Sequence, residues 1–272
     1  MAQAGKSGPA ALILALVCIF LVALAISMIS QQPASDSTDL AQLESGGEQD
    51  PQGGDPAAPP PWPMLQEGAA APTAPQLLAA SNYYVVLDGS GSMQGAECAA
   101  GSQKINAAKR ALERFVKAVP QAANLGLLVF DGDGISERVP LGSGNREAFV
   151  SALKRVQADG GTPLRSSIEK AYERLTEQGR AQLGYGDYHL VVVTDGDPQP
   201  ADEDPTPVVN RLLAESPVVL HTIGFCIGTD HVLNQPGRSY YVAADSPQQL
   251  AEGLGEVLAE APDFDVTQFQ QQ

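Results

Sequence analysis

Basic residues are scarce in this 272-residue sequence: sixteen Lys and Arg stand against thirty-two Asp and Glu, a formal charge of -16 with a pI near 4.4. A stretch able to neutralise phosphates is missing, which disfavours nucleic acid as a partner. Cysteine is nearly absent too, with only Cys18, Cys98 and Cys226. That excludes a zinc ribbon, a knuckle and a disulfide-dense miniprotein. Catalytic signatures are also lacking. A nucleophile elbow needs G-x-S-x-G, but Ser90 lies between Asp88 and Ser92, and Ser92 between Ser90 and Gln94. Gln94 also stands where a dinucleotide fingerprint beginning at Gly89 would need glycine, and there is no P-loop lysine. The three histidines, His189, His221 and His231, have no metal-ligand spacing, and the first two fall within apolar runs that suit packed side chains.

What is present divides the chain into parts. Residues 10–29 read AALILALVCIFLVALAISMI, twenty in a row without a charge. At 1.5 Å of rise each they cover the roughly 30 Å of a hydrocarbon core, so a transmembrane helix is expected over 10–30, with Cys18 as one of its membrane residues. A cleaved signal peptide is the alternative. Lys6 precedes the run and no Lys or Arg follows until Lys104. Residues 1–9 are therefore expected in the cytoplasm and the bulk of the chain in the periplasm or outside the cell. Residues 31–79 hold nine prolines, five glycines, seven acidic residues and one aromatic, Trp62. Such a composition predicts a disordered acidic linker in which Trp62 is incidental.

From residue 80 short β-rich runs alternate with amphipathic stretches, the pattern of an α/β fold. Strands are expected at 83–87, 125–130, 137–141, 189–193, 218–225 and 240–243, with helices at about 103–119, 145–157, 163–179 and 206–215 and a closing helix after Ser246. Asp131 to Gly134 is a turn that makes 137–141 an antiparallel edge. Ser102 reads as the N-cap of the first helix, and Ser246-Pro247-Gln248-Gln249 as a capping box for the last. The expected architecture is a doubly wound, Rossmann-like sheet, mostly parallel with one antiparallel edge strand, helices on both faces. The domain is assigned to 80–262 and a tail to 263–272.

Sheets of this kind bind ligands beyond the carboxyl ends of their strands. Three segments there carry oxygen donors: Asp88-Gly89-Ser90-Gly91-Ser92-Met93, Gly160-Gly161-Thr162-Pro163 and Thr194-Asp195-Gly196-Asp197-Pro198. Carboxylates and hydroxyls without imidazole or thiolate suit a hard cation such as Mg2+. The three elements together resemble the von Willebrand factor type A family, whose metal-ion-dependent adhesion site is D-x-S-x-S, then threonine, then aspartate.

That resemblance implies strand order 3-2-1-4-5-6. It also implies direct metal ligation by Ser90, Ser92 and Thr162, with Asp88 and Asp195 acting through water. The cation would be Mg2+, with Mn2+ or Ca2+ as alternatives. Its open position would accept an Asp or Glu of a protein partner, so neither a small-molecule substrate nor catalysis is expected. The rival functions are a metal-dependent hydrolase or phosphoryl-transfer enzyme, and a metal-independent scaffold of an envelope complex. Asp131, Asp133 and Asp197 suit turns and an acidic rim better than auxiliary ligation. Cys98 follows the first metal loop and Cys226 ends a strand at the same rim, so an oxidising compartment would permit a disulfide between them, the alternative being two unrelated thiols.

Overall fold

The computed structural model describes residues 62–64 and 78–259. The expected membrane helix, most of the expected linker and the tail lie outside the described residues, among which no helix is long and apolar enough to cross a membrane.

Six strands form one sheet in the order β3-β2-β1-β4-β5-β6. They are β1 (Asn82–Asp88), β2 (Asn124–Asp131), β3 (Gly134–Gly142), β4 (Tyr188–Thr194), β5 (Val219–Phe225) and β6 (Tyr240–Ala244). Pairing is parallel except between β2 and β3. That hairpin is tighter and longer than the sequence suggests, because Asp131 pairs directly with Gly134 and leaves a two-residue turn. Gly134, the first residue of β3, takes a positive φ of +86° directly after the turn, a left-handed conformation that glycine adopts without strain.

Five helices cover the sheet: α1 (Lys104–Ala118), α2 (Arg146–Arg155), α3 (Leu164–Ala181), α4 (Thr206–Glu215) and α5 (Pro247–Ala259). Alternation along β1 assigns its side chains to two cores. Tyr83, Val85 and Leu87 pack with Leu112 and Phe115 of α1, Phe149 of α2 and Leu254 of α5. Tyr84 and Val86 pack on the opposite face with Ile168 and Leu175 of α3 and Leu212 of α4. Since both faces are covered, β1 and β4 are buried along their whole length and read as continuous apolar runs.

Two local expectations need correction. Ser102 does not cap α1: the N-cap is Gln103, which makes no side-chain cap bond. The Ser102 hydroxyl instead donates to the Ala99 carbonyl at 3.1 Å. At α5 the Ser246 hydroxyl does accept from the Gln249 amide, although the Gln249 side chain reaches back one residue further, to the Asp245 amide.

The second correction concerns Trp62, which is not incidental. Its ring packs edge-on against Tyr188 with centroids 4.7 Å apart, and its Nε1 donates to the Thr176 hydroxyl at 3.1 Å. The Arg180 guanidinium donates to the Pro63 carbonyl. A Cβ on Gly179 would overlap the indole, so the glycine leaves a slot in α3 that the ring fills.

Candidate metal centre

Register brings the site together. Leu87 pairs with Val193, so the next residues, Asp88 and Thr194, leave neighbouring strands side by side. The Thr194 hydroxyl donates to Asp88 Oδ2 at 2.6 Å, and the Ser90 amide donates to Asp88 Oδ1 at 2.8 Å. Both contacts favour the carboxylate, but burial outweighs them and, helped by the nearby Asp195, lifts the Asp88 pKa to about 6. Asp88 is thus a buried carboxyl with two hydrogen-bond donors and no ion pair among the described residues, a group whose charged form a nearby cation would stabilise.

Beyond Asp88 the chain turns through Gly89, whose Cβ would come within 2.9 Å of the Phe130 carbonyl oxygen. Only glycine lets the loop pass so close to β2. A short 3-10 turn, Gly91–Gln94, then presents the serines. Ser90 Oγ lies 3.0 Å from Ser92 Oγ, and Ser92 Oγ donates to Asp195 Oδ1 at 2.6 Å. The structure therefore joins Ser90, Ser92 and Asp195 in one chain of hydrogen bonds, with Asp88 bound to the Ser90 amide.

Thr162 enters through backbone ties. The Gly91 amide donates to the Gly160 carbonyl at 3.0 Å, while the Gln199 amide donates to the Thr162 carbonyl at 2.9 Å. The loop before α3 is thereby fastened to the loops after β1 and β4. The Thr162 hydroxyl has no hydrogen-bond partner among the described residues. Asp88, Ser90, Thr162 and Asp195 are buried, whereas Ser92 is exposed and opens the site to solvent.

Two carboxylates and three hydroxyls fit a hard dication that keeps some of its water, and fit poorly a soft metal. In keeping with that donor set, no group of three or more His, Cys, Asp or Glu placed to hold a metal occurs among the described residues.

Sequence reasoning missed three participants. Thr194 is one: it opens the third donor segment, but nothing in the sequence assigns its hydroxyl to Asp88, 106 positions away. Lys104 is another: its Nζ donates to Asp195 Oδ2 at 2.9 Å, with Glu97 at 3.8 Å, and its side chain is only 10% exposed. At the head of an amphipathic helix a lysine reads as solvated, and nothing local reveals a partner 91 positions away. His231 is the third, placed on the rim with Nε2 3.1 Å from the Gly196 carbonyl oxygen.

The other residues singled out in the sequence have structural roles. Asp131 pairs with both of its oxygens to Arg138, with Asp133 3.7 Å from the same guanidinium. Asp197 is an exposed rim residue near His231. His189 and His221 are buried well away from the site, His189 Nδ1 lying 3.2 Å from His221 Nε2, with Tyr83 stacked on one ring and Tyr240 on the other. Cys98 and Cys226 form a disulfide across 128 residues, tying the segment after the serine loop to the end of β5.

Comparison with known proteins agrees with this geometry. The family model "von Willebrand factor type A domain" matches residues 82–270. Mouse inter alpha-trypsin inhibitor heavy chain 4 is 26% identical over 193 residues, covering 65% of this chain and 20% of its own length. The chain thus spans about a fifth of that relative. Among solved structures, manganese-loaded Plasmodium vivax TRAP protein superposes with a TM-score of 0.52 at 20% identity, covering 66% of this chain and 74% of its own. Proximal thread matrix protein 1 from the mussel byssus, solved with a zinc-occupied MIDAS motif, gives 0.53 at 17% identity, covering 66% and 47%. With its sheet order, its loops at the strand ends and a family model spanning well over half its length, this chain belongs to the von Willebrand factor type A domain family.

Proposed function

We propose that the chain is a divalent-metal-dependent protein-binding module, tethered to a membrane by residues 10–29 with its domain on the extracytoplasmic side. The observation that carries the reading is the hydrogen-bonded run Ser90–Ser92–Asp195, with buried Asp88 beneath it and exposed Ser92 at its mouth. Ser90, Ser92 and Thr162 would hold Mg2+ through their hydroxyls, Asp88 and Asp195 through water, with Mn2+ or Ca2+ as substitutes. Bound there, the cation supplies an electrophilic position for an Asp or Glu carboxylate of a partner protein.

The protein's own residues make that position usable. Neutral hydroxyls leave the cation's charge largely unspent, while Thr194 and the Ser90 amide hold Asp88 in one orientation. The backbone ties at Gly160 and Thr162 keep the three loops from spreading when one ligand is lost. The metals named in the TRAP and thread matrix protein structures support a cation in this place, and the basic-residue asymmetry about residues 10–29 supports the topology.

Titration of the full-length chain with Mg2+ and Mn2+ tests the first part. Binding that disappears in Asp88→Ala, or in Ser90→Ala with Ser92→Ala, is expected, and undiminished binding in a folded variant refutes the ligand set. Alkaline phosphatase fused after Gln272 tests the second part; an inactive fusion beside an active cytoplasmic reporter reverses the topology.

A further inference from the structure

The ion pair between Lys104 and Asp195 has no place in the metal-binding scheme above. Three forces oppose a lysine at that position. It is the first residue of α1, where the helix macrodipole disfavours positive charge. It is buried, and burying an ammonium is costly unless it is paired. Its ammonium also lies within the ligand set proposed for a dication. The contact that offsets these forces is Asp195 Oδ2 at 2.9 Å, with Glu97 further out at 3.8 Å. Asp195 divides its oxygens accordingly: Oδ1 accepts from Ser92 and Oδ2 accepts from Lys104.

We propose that Lys104 is the resident cation of the metal-free site: it neutralises Asp195 and holds the Ser90–Ser92–Asp195 run in its binding geometry before a divalent ion arrives, and its charge opposes that ion's entry. This deepens the metal-binding reading and rests on it. Two consequences follow from one charge. Without Lys104 the buried Asp195 loses its counter-ion while buried Asp88 stays nearby, so the metal-free fold is weakened. With a dication present the same substitution removes a repulsion, so the metal is held more tightly. Lys104 thereby weakens intrinsic metal affinity and leaves more of the final binding to the partner's carboxylate.

The test compares the full-length wild type with Lys104→Met, Lys104→Gln and Lys104→Arg, measuring thermal midpoint and Mn2+ affinity for each. In Lys104→Met and Lys104→Gln the metal-free midpoint should fall, the upward shift caused by saturating Mn2+ should be larger than in wild type, and the Mn2+ dissociation constant should drop by about tenfold or more. Lys104→Arg, which keeps the charge, should restore wild-type values for all three. A variant that folds only when Mn2+ is present gives the same result in stronger form. A role in packing alone predicts instead an equal loss of midpoint with and without Mn2+ and an unchanged dissociation constant; either that pattern or weaker Mn2+ binding overturns the proposal. If Lys104→Met binds Mn2+ and the wild type does not, the inference stands and metal use by the native chain falls. If neither binds, both fall.

Discussion

Lowering the pH from 7 to 5 should remove about 2 kcal/mol of folding stability through His221 alone. The ring is buried between Tyr240 and His189, and burial, reinforced by the neighbouring imidazole, depresses its pKa from 6.5 to about 3. Because the folded pKa lies below the unfolded one, the unfolded chain takes up the proton first. Stability is therefore complete above about pH 6.5 and is lost as the pH falls toward 3. At pH 5 the loss is about 1.4 kcal/mol for each of the 1.5 pH units below the unfolded value, whether the folded pKa is 3 or 4. His189, also depressed by burial, acts in the same direction.

Asp88 acts against both. Its folded pKa is raised to about 6, so its contribution is greatest at low pH and declines as the pH rises through 6. A bare pH profile therefore mixes opposing slopes. His221→Phe keeps the ring's bulk and leaves Asp88 untouched, so urea denaturation of wild type and variant at pH 7 and pH 5 isolates the histidine. The wild type should lose about 2 kcal/mol more than the variant between the two pH values. Equal losses would mean that the folded protein accepts a proton on His221, and the buried stack as described would be wrong.

Trp62 is the only tryptophan, so its fluorescence reads the slot in α3 directly. Gly179→Leu should expel the indole and shift emission to the red while leaving Mn2+ affinity unchanged, and an unshifted spectrum would contradict the docking. Replacing Cys98 and Cys226 together by serine should cost about 4–5 kcal/mol in chemical denaturation, since the bond closes a loop of 128 residues in the unfolded chain. Thr194→Val keeps its shape but deprives Asp88 Oδ2 of a donor. It should destabilise the metal-free protein by about 1–3 kcal/mol above pH 7, less at pH 5 where Asp88 is protonated, as urea denaturation at the two pH values would record.

How legible the molecule was depended on the range of each interaction. β1 and β4 are apolar on both faces and α1 repeats its apolar residues at helical spacing, so element types and order follow from short windows of sequence. The metal loops are equally local, because D-x-S-x-S and the threonine before α3 carry their own glycines and prolines. Lys104 and Thr194 escape such reading because their partners, Asp195 and Asp88, are supplied by other strands and loops. Trp62 escapes because a proline-rich neighbourhood describes the chain's local stiffness and says nothing of what it meets. One signal did exist: Gly179 interrupts a helix at a cost of about 1 kcal/mol relative to alanine, and an internal helical glycine asks for a neighbour that needs the space.

Trp62 also determines where traction would enter the domain. It rests against Tyr188, the first residue of β4, whereas Asp195 follows the last, so pull applied from the N-terminal side and pull applied at the serine loop act at opposite ends of a seven-residue strand, roughly 20 Å apart. While the indole is seated, load arriving at Trp62 falls on α3 and on the start of β4. Once it is drawn out, the same pull is passed along the chain to β1, which it loads at Asn82. Leaving one aromatic slot thus moves the point of loading from a covering helix to the strand that carries the serine loop.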